Sequence, residues 1–242
     1  MRLFRKPWIW VARFRKRKGY GVHSPFAYSF IRGVVLETSA YYAYAELAQL
    51  HPWWVRWGRL YPMMCRRLLF RLANYAEPKT VVLLTKDKLV ENYVRAAVPR
   101  AEMITAGNGI SAGKPQSTLT AGGGTRNADF TGGGAQADFT GGGAQADFIG
   151  GGAQADFTGG GARNADFVFI GKEFLGEAVH YATAMPSQGM LVCEGIHKDH
   201  KALEIWRTIQ KDEHTGITFD LYTYGVAFFN HALHKQHYKV NF

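Results

Sequence analysis

GITFDLYTYGVAFFN, residues 216–230, holds two β-type runs, GITFDLY (216–222) and GVAFFN (225–230), with only Thr223 and Tyr224 between them. A parallel pair needs a crossover of about a dozen residues, so these two runs form an antiparallel hairpin. The chain before them has another rhythm. TVVLL (80–84) reads as a buried strand, KLVENYVRAAV (88–98) as a helix that aligns Leu89, Tyr93 and Ala97, and AEMITA (101–106) as a second strand. ADFVFIG (165–171), FLGEAVHYATAM (174–185), GMLVCEG (189–195) and HKALEIWRTIQ (200–210) continue as strand, helix, strand, helix, with Asp199 as a cap for the last. Alternating strands and helices imply a parallel α/β sheet, and the hairpin adds antiparallel strands at its end. HYKVNF (237–242) offers one strand more.

Upstream, SAYYAYAELAQL (39–50) reads as a helix with Ser39 at its N-cap. MMCRRLLFRLANYA (63–76) reads as a helix with Leu68, Leu72 and Tyr75 on one face, ended by Pro78. This end of the chain carries the charge. Residues 1–72 hold 14 Lys/Arg against two acids, Glu37 and Glu46, while residues 73–242 hold 15 Lys/Arg against 17 acids. The formal net charge of +10 is therefore a strongly basic end joined to a near-neutral remainder. Residues 2–18 interleave Trp8, Trp10 and Phe14 with eight Lys/Arg. That composition suits an anionic membrane surface, where Trp and Arg settle at the interface. It suits nucleic acid equally, by phosphate contact and base stacking. It also suits a helix that packs its aromatics on the domain and solvates its charges.

From Ala121 to Phe167 the sequence repeats a nine- or ten-residue unit five times, AGGGTRNADF, TGGGAQADF, TGGGAQADF, IGGGAQADF and TGGGARNADF, which takes 15 of the 28 glycines. Calcium-binding nonapeptides of the G-G-x-G-x-D-x-U-x form match it poorly, because Gln136 stands at a glycine position and Thr140 at the large apolar one. No Lys-Ser/Thr follows a glycine run, so a phosphate loop does not fit either. Three glycines per unit raise the cost of ordering the tract, which reads as an irregular or weakly strand-like insertion. Two distant cysteines, Cys65 and Cys193, exclude a disulfide scaffold and a cysteine-rich zinc site and fit a reducing compartment. No apolar run is long enough to span a bilayer. The start MRLFRKPWIW lacks the apolar core of a secretory signal, so the expected location is cytoplasmic, with peripheral membrane contact through residues 2–18 as the variant.

The N-terminal element Arg17-Lys18-Gly19-Tyr20-Gly21-Val22-His23-Ser24-Pro25-Phe26, the strand at Asp166–Ile170, the Ile196-His197 pair and the closing DLYTYGVAFF segment resemble a bacterial family of class I S-adenosylmethionine (SAM)-dependent methyltransferase-like proteins. The resemblance covers roughly 1–106 and 165–242. It implies a Rossmann-like class I methyltransferase sheet with a C-terminal antiparallel hairpin. Residues 1–76 would form a basic helical extension and 77–242 the α/β domain, with the repeats of 121–167 inserted in it. It also implies SAM as cofactor, at the carboxyl ends of the first strands.

The residues at the implied SAM positions depart from the pattern. Leu83 stands for the acid on the first strand, and Thr85 and Leu89 stand for the two glycines of the following turn. Ala106 replaces the acid that would hold the ribose hydroxyls, Gly171 replaces the acid after the fourth strand of the plan, and only Glu194 keeps a carboxylate. Asp87 is the nearby acid that could serve at a shifted position. Thr85, Asp87, Ala106 and Gly171 are thus the cofactor-binding candidates of a SAM site that is weakened or lost. Glu194 with His197, two residues past a strand end, is the candidate catalytic acid–base pair. The alternative is a non-enzymatic module that binds membrane or nucleic acid through the basic end. His200, His231, His234 and His237 lack a completing carboxylate or cysteine pattern and read as solvated or capping groups, so no metal is expected. His23 reads as structural in the Ser24-Pro25 turn, and Cys193 as core.

Overall fold

The computed structural model describes residues 22, 24–53, 55, 60–105 and 165–240. Residues 1–21, His23, Ala106 and the repeats up to 164 lie outside the described residues, and with them the expectations placed on residues 2–18, on Ala106 and on most of the repeat tract. The elements in chain order are α1 (Pro25–Phe30), a π turn (Ile31–Val35), α2 (Ala43–Gln49), α3 (Leu60–Ala76), β1 (Thr80–Leu84), α4 (Lys88–Ala97) and β2 (Glu102–Thr105). Then follow β3 (Phe167–Ile170), a 3-10 turn (Leu175–Glu177), α5 (Ala178–Ala184), β4 (Met190–Glu194), α6 (His200–Lys211), β5 (Ile217–Asp220), β6 (Tyr224–Phe228) and β7 (Gln236–Lys239).

The strands form one sheet in the order β2-β1-β3-β4-β6-β5-β7. β2, β1, β3 and β4 are parallel, β6 runs antiparallel between β4 and β5, and β7 pairs parallel to β5. This is a mixed, Rossmann-like α/β sheet with the expected hairpin. The strand order reverses at β1, which makes the carboxyl ends of β1 and β3 the topological switch point. Among the described residues β2 is one edge of the sheet and β7 the other.

Alternation along the strands sends side chains to two faces. Val81, Leu83, Phe167, Phe169, Met190, Val192, Phe219 and Val226 share one buried cluster with Phe30, Ile31, Leu68, Leu69 and Leu72 of the N-terminal helices and with Val90 and Val94 of α4. Phe30 is its pivot, with ring centroids 4.6 Å from Phe219 and 5.1 Å from Phe228. Each such aromatic pair adds roughly 0.5–1.5 kcal/mol beyond its buried area. On the other face α6 lays the Trp206 ring against Gly225 of β6.

Local signals explain the element ends. Ser24 caps α1 and Pro25 occupies its first turn, as the Ser-Pro pair suggests. Asp87 caps α4 by accepting from Leu89 N, and Asp199 caps α6 by accepting from Ala202 N at 2.7 Å. Two readings need correction. Ser39 is not a cap: α2 begins at Ala43 behind Tyr42, which makes no side-chain cap bond. The buried face of α4 is Val90, Tyr93 and Val94 with Ala97 packed on the core, so Tyr93 and Ala97 face inward as expected while Val90 takes the place of Leu89, which is only half-buried. The last repeat unit contributes to the fold. Its Ala165 and Phe167 are buried, and its Asp166 carboxylate accepts from Lys79 N at 3.0 Å at the start of β1.

A methyl group on Gly225 would stand 2.8 Å from the buried Trp206 ring. Overpacking of this kind costs about 1–3 kcal/mol. Gly225→Ala should lower the urea midpoint accordingly at unchanged m-value, and an unchanged midpoint would show that the Trp206 contact is not tight.

Candidate functional site

Arg66 projects from α3 to the carboxyl end of the sheet. Its Nη2 donates to Asp87 Oδ2 in the turn after β1, and its Nη1 donates to Glu194 Oε1 at 3.2 Å and to the Tyr224 hydroxyl at 2.8 Å. Glu194 is the last residue of β4 and Tyr224 the first of β6, and the two stand opposite each other in the ladder. One guanidinium therefore reaches from the β1 turn to the β4 end, on either side of β3. The Arg66 side chain keeps 13% of its exposure, Glu194 15% and Asp87 37%, so the Glu194 arm is the more sequestered of the two ion pairs. Desolvation alone pulls the Arg66 pKa down, but Tyr224, Glu194 and Asp87 together outweigh it and hold the pKa above the ordinary arginine value. Burial pushes the Tyr224 hydroxyl far up, against the pull of Arg66.

The turn after β1 is strapped to the next strand. Glu173 Oε1 accepts from Lys86 N at 2.8 Å, and Thr85 Oγ1 accepts from Asp87 N at 3.1 Å. Gly171 N donates to Leu84 O at 2.7 Å. A β-carbon on Gly171 would meet Leu84 O and Thr85 Oγ1, both at 3.1 Å. Leu83 is fully buried and points into the core cluster. Thr85, Asp87 and Gly171 thus come together at the switch point, bound to one another's loops by the chain's own hydrogen bonds.

His197 lies in the turn after β4. Its Nε2 is 3.0 and 2.9 Å from the two carboxylate oxygens of Asp220, the last residue of β5. Its ring stacks on Tyr222, with centroids 5.2 Å apart. Asp220 is buried and also accepts from Tyr222 N at 3.0 Å, holding a turn in which Tyr222 takes φ 71°. That left-handed conformation is strained for a tyrosine. Gly195 takes φ 77° and donates its N–H to Thr223 O at 2.7 Å, which ties the β4 turn to the hairpin turn. The Tyr61 hydroxyl, pushed up to about 12 mainly by burial, bonds Thr223 Oγ1. Glu194 and His197, one candidate pair in the sequence, stand in two separate pairings, Glu194 with Arg66 and His197 with Asp220.

Arg66 and Asp220 are the residues that sequence reasoning missed. Asp220 carried a weak signal, because an Asp two residues before a tight turn accepts from its own backbone there. Arg66 carried none that separates it from Arg67, which lies over the Tyr44 ring at 4.9 Å instead. Of the other histidines, His237 bonds Thr218 Oγ1 at 2.8 Å and His200 pairs with Glu204 at 3.2 Å. Among the described residues no group of His, Cys, Asp and Glu is arranged to hold a metal ion. Among them, too, no helix is long and apolar enough to cross a membrane.

Comparison with known proteins adds little to this geometry. No family model matches the chain, and no curated protein matches it. The crystal structure of an SAH-bound methyltransferase of Podospora anserina is similar at 11% identity with a TM-score of 0.40, covering 86% of this chain and 99% of that one.

Proposed function

We propose that this chain is a methyltransferase-fold protein in which SAM binding is weakened or lost. The observation that carries the reading is the placement of Arg66. A SAM molecule at the switch point would bring a sulfonium and an ammonium, two positive centres, to a place where a guanidinium is already paired with Asp87 and Glu194. Displacing it would unpair a largely buried charge, at a cost of about 3–5 kcal/mol. Thr85 and Leu89 add side chains where the backbone would have to approach the cofactor, and Gly171 offers no carboxylate. The residues present do not fit SAM well. In this reading Glu194 is the counter-ion of Arg66, and Asp87 is a helix cap that doubles as its second counter-ion. Isothermal calorimetry should find SAM binding no tighter than about 1 mM, a free energy no better than about −4 kcal/mol. A micromolar constant would overturn the reading.

The charge asymmetry favours a second reading, in which the basic aromatic segment 2–18 docks the chain on an anionic surface. Deleting residues 1–18 should abolish salt-sensitive pelleting with anionic vesicles, and unchanged pelleting would remove this reading.

A further inference from the structure

Few contacts attach α2 to the rest of the chain. The main core cluster takes no side chain from it. Tyr44 and Leu47 instead join Phe70 of α3 and Tyr93 of α4 in a small separate cluster. Segments held by so little buried surface open before the core does. His51, just past the end of α2, adds a polar tie to α4. Its Nε2 stands 3.0 Å from the Tyr93 hydroxyl, and the two ring centroids are 5.7 Å apart. The imidazole is 5% exposed and Tyr93 is fully buried.

This junction suits a neutral imidazole and not a charged one. Burial pushes the His51 pKa down from the ordinary imidazole value, and Arg66 and Arg67 of α3 push the same way. Asp87 in the β1 turn pulls against them, but its carboxylate already holds Arg66. Arg67 lies over the Tyr44 ring at 4.9 Å, and among the described residues its buried Nε has no partner. Tyr93 cannot supply the missing negative charge, because burial pushes its hydroxyl up to about 12. Protonating His51 in place would therefore set a third cation within reach of two guanidiniums, with no carboxylate of its own. Opening the junction removes that cost by returning the imidazolium to water.

We propose that His51 is an acid-sensitive latch whose protonation releases α2 from α4. The latch goes beyond the SAM reading, because it stands whether or not the switch point binds a ligand. The opened segment binds the His51 proton more tightly than the closed one. Closure is therefore strongest above about pH 6.5, the ordinary imidazole value, and weakens as pH falls until the closed form is itself protonated.

Hydrogen exchange of the full chain at about pH 7.5 and about pH 5, read by mass spectrometry and corrected for intrinsic rates, tests the latch. α6 of the same chain is the internal reference. Opening of Ala43–Gln49 relative to α6 should rise about fivefold or more at the lower pH. His51→Gln offers the Tyr93 hydroxyl a neutral amide that does not titrate, and should hold the ratio within about twofold between the two pH values. No rise in the wild type, or the same rise in His51→Gln, would overturn the proposal. If His51→Gln does not fold, the wild-type imidazole resonance assigned by its contact with the Tyr93 ring decides. Titration below about pH 6.5 supports the latch, and titration at or above that value overturns it.

Discussion

A guanidinium held between two carboxylates at the open end of the sheet is the constraint on which the functional reading depends. Arg66 can be 13% exposed only because Asp87, Glu194 and Tyr224 meet it. Those three come from the β1 turn, the β4 end and the start of β6, so a single side chain ties the helical face to both halves of the sheet. In doubly wound sheets this end is where ligands bind. Here the same space is spent on an internal ion bridge, with the loops around it cross-bonded through Glu173 and Gly171. The sheet keeps its doubly wound plan, and its switch point holds this ion bridge.

The scaffold around that bridge is held by apolar packing. Phe30, Phe219 and Phe228 fasten the first helix and the hairpin together, and Leu68, Leu69 and Leu72 of α3 seat the helix that carries Arg66. Rigid seating matters because a guanidinium displaced by an ångström would lose one of its partners. His197 is fixed by other means, between the buried Asp220 and the Tyr222 ring, beside a turn whose left-handed tyrosine stores strain.

The fold was legible because its signals are local. Two residues between GITFDLY and GVAFFN leave only a hairpin, and TVVLL or MLVCE can only be buried strands once helices alternate with them. Asp199 as a cap and Cys193 as core followed from position alone, and both hold. Ser39 failed as a cap because the helix it would start begins four residues later, where nothing in the sequence marks the boundary. The β7 pairing was only partly legible: the strand was visible, but its parallel partnership with β5 is set by the tertiary fold. The position of the candidate site was readable, because it follows from the strand order. Of Leu83, Thr85 and Gly171, singled out in the sequence, the structure places Thr85 and Gly171 side by side at the switch point and buries Leu83 in the core. What fills the space was not readable, since the pairs of Arg66 join positions 21 and 128 residues apart. No periodicity or spacing rule links residues at such separations. Asp220 with His197 was hidden for the same reason.

The central claim is that the Arg66–Glu194 pair is a formed, sequestered ion bridge and not a loose surface contact. A double-mutant cycle on urea unfolding, with Arg66→Met, Glu194→Gln and the combined variant, measures it directly. The account predicts a favourable coupling of about 1.5 kcal/mol or more. Additivity within about 0.5 kcal/mol would contradict it and would leave the carboxyl end of the sheet open to a ligand.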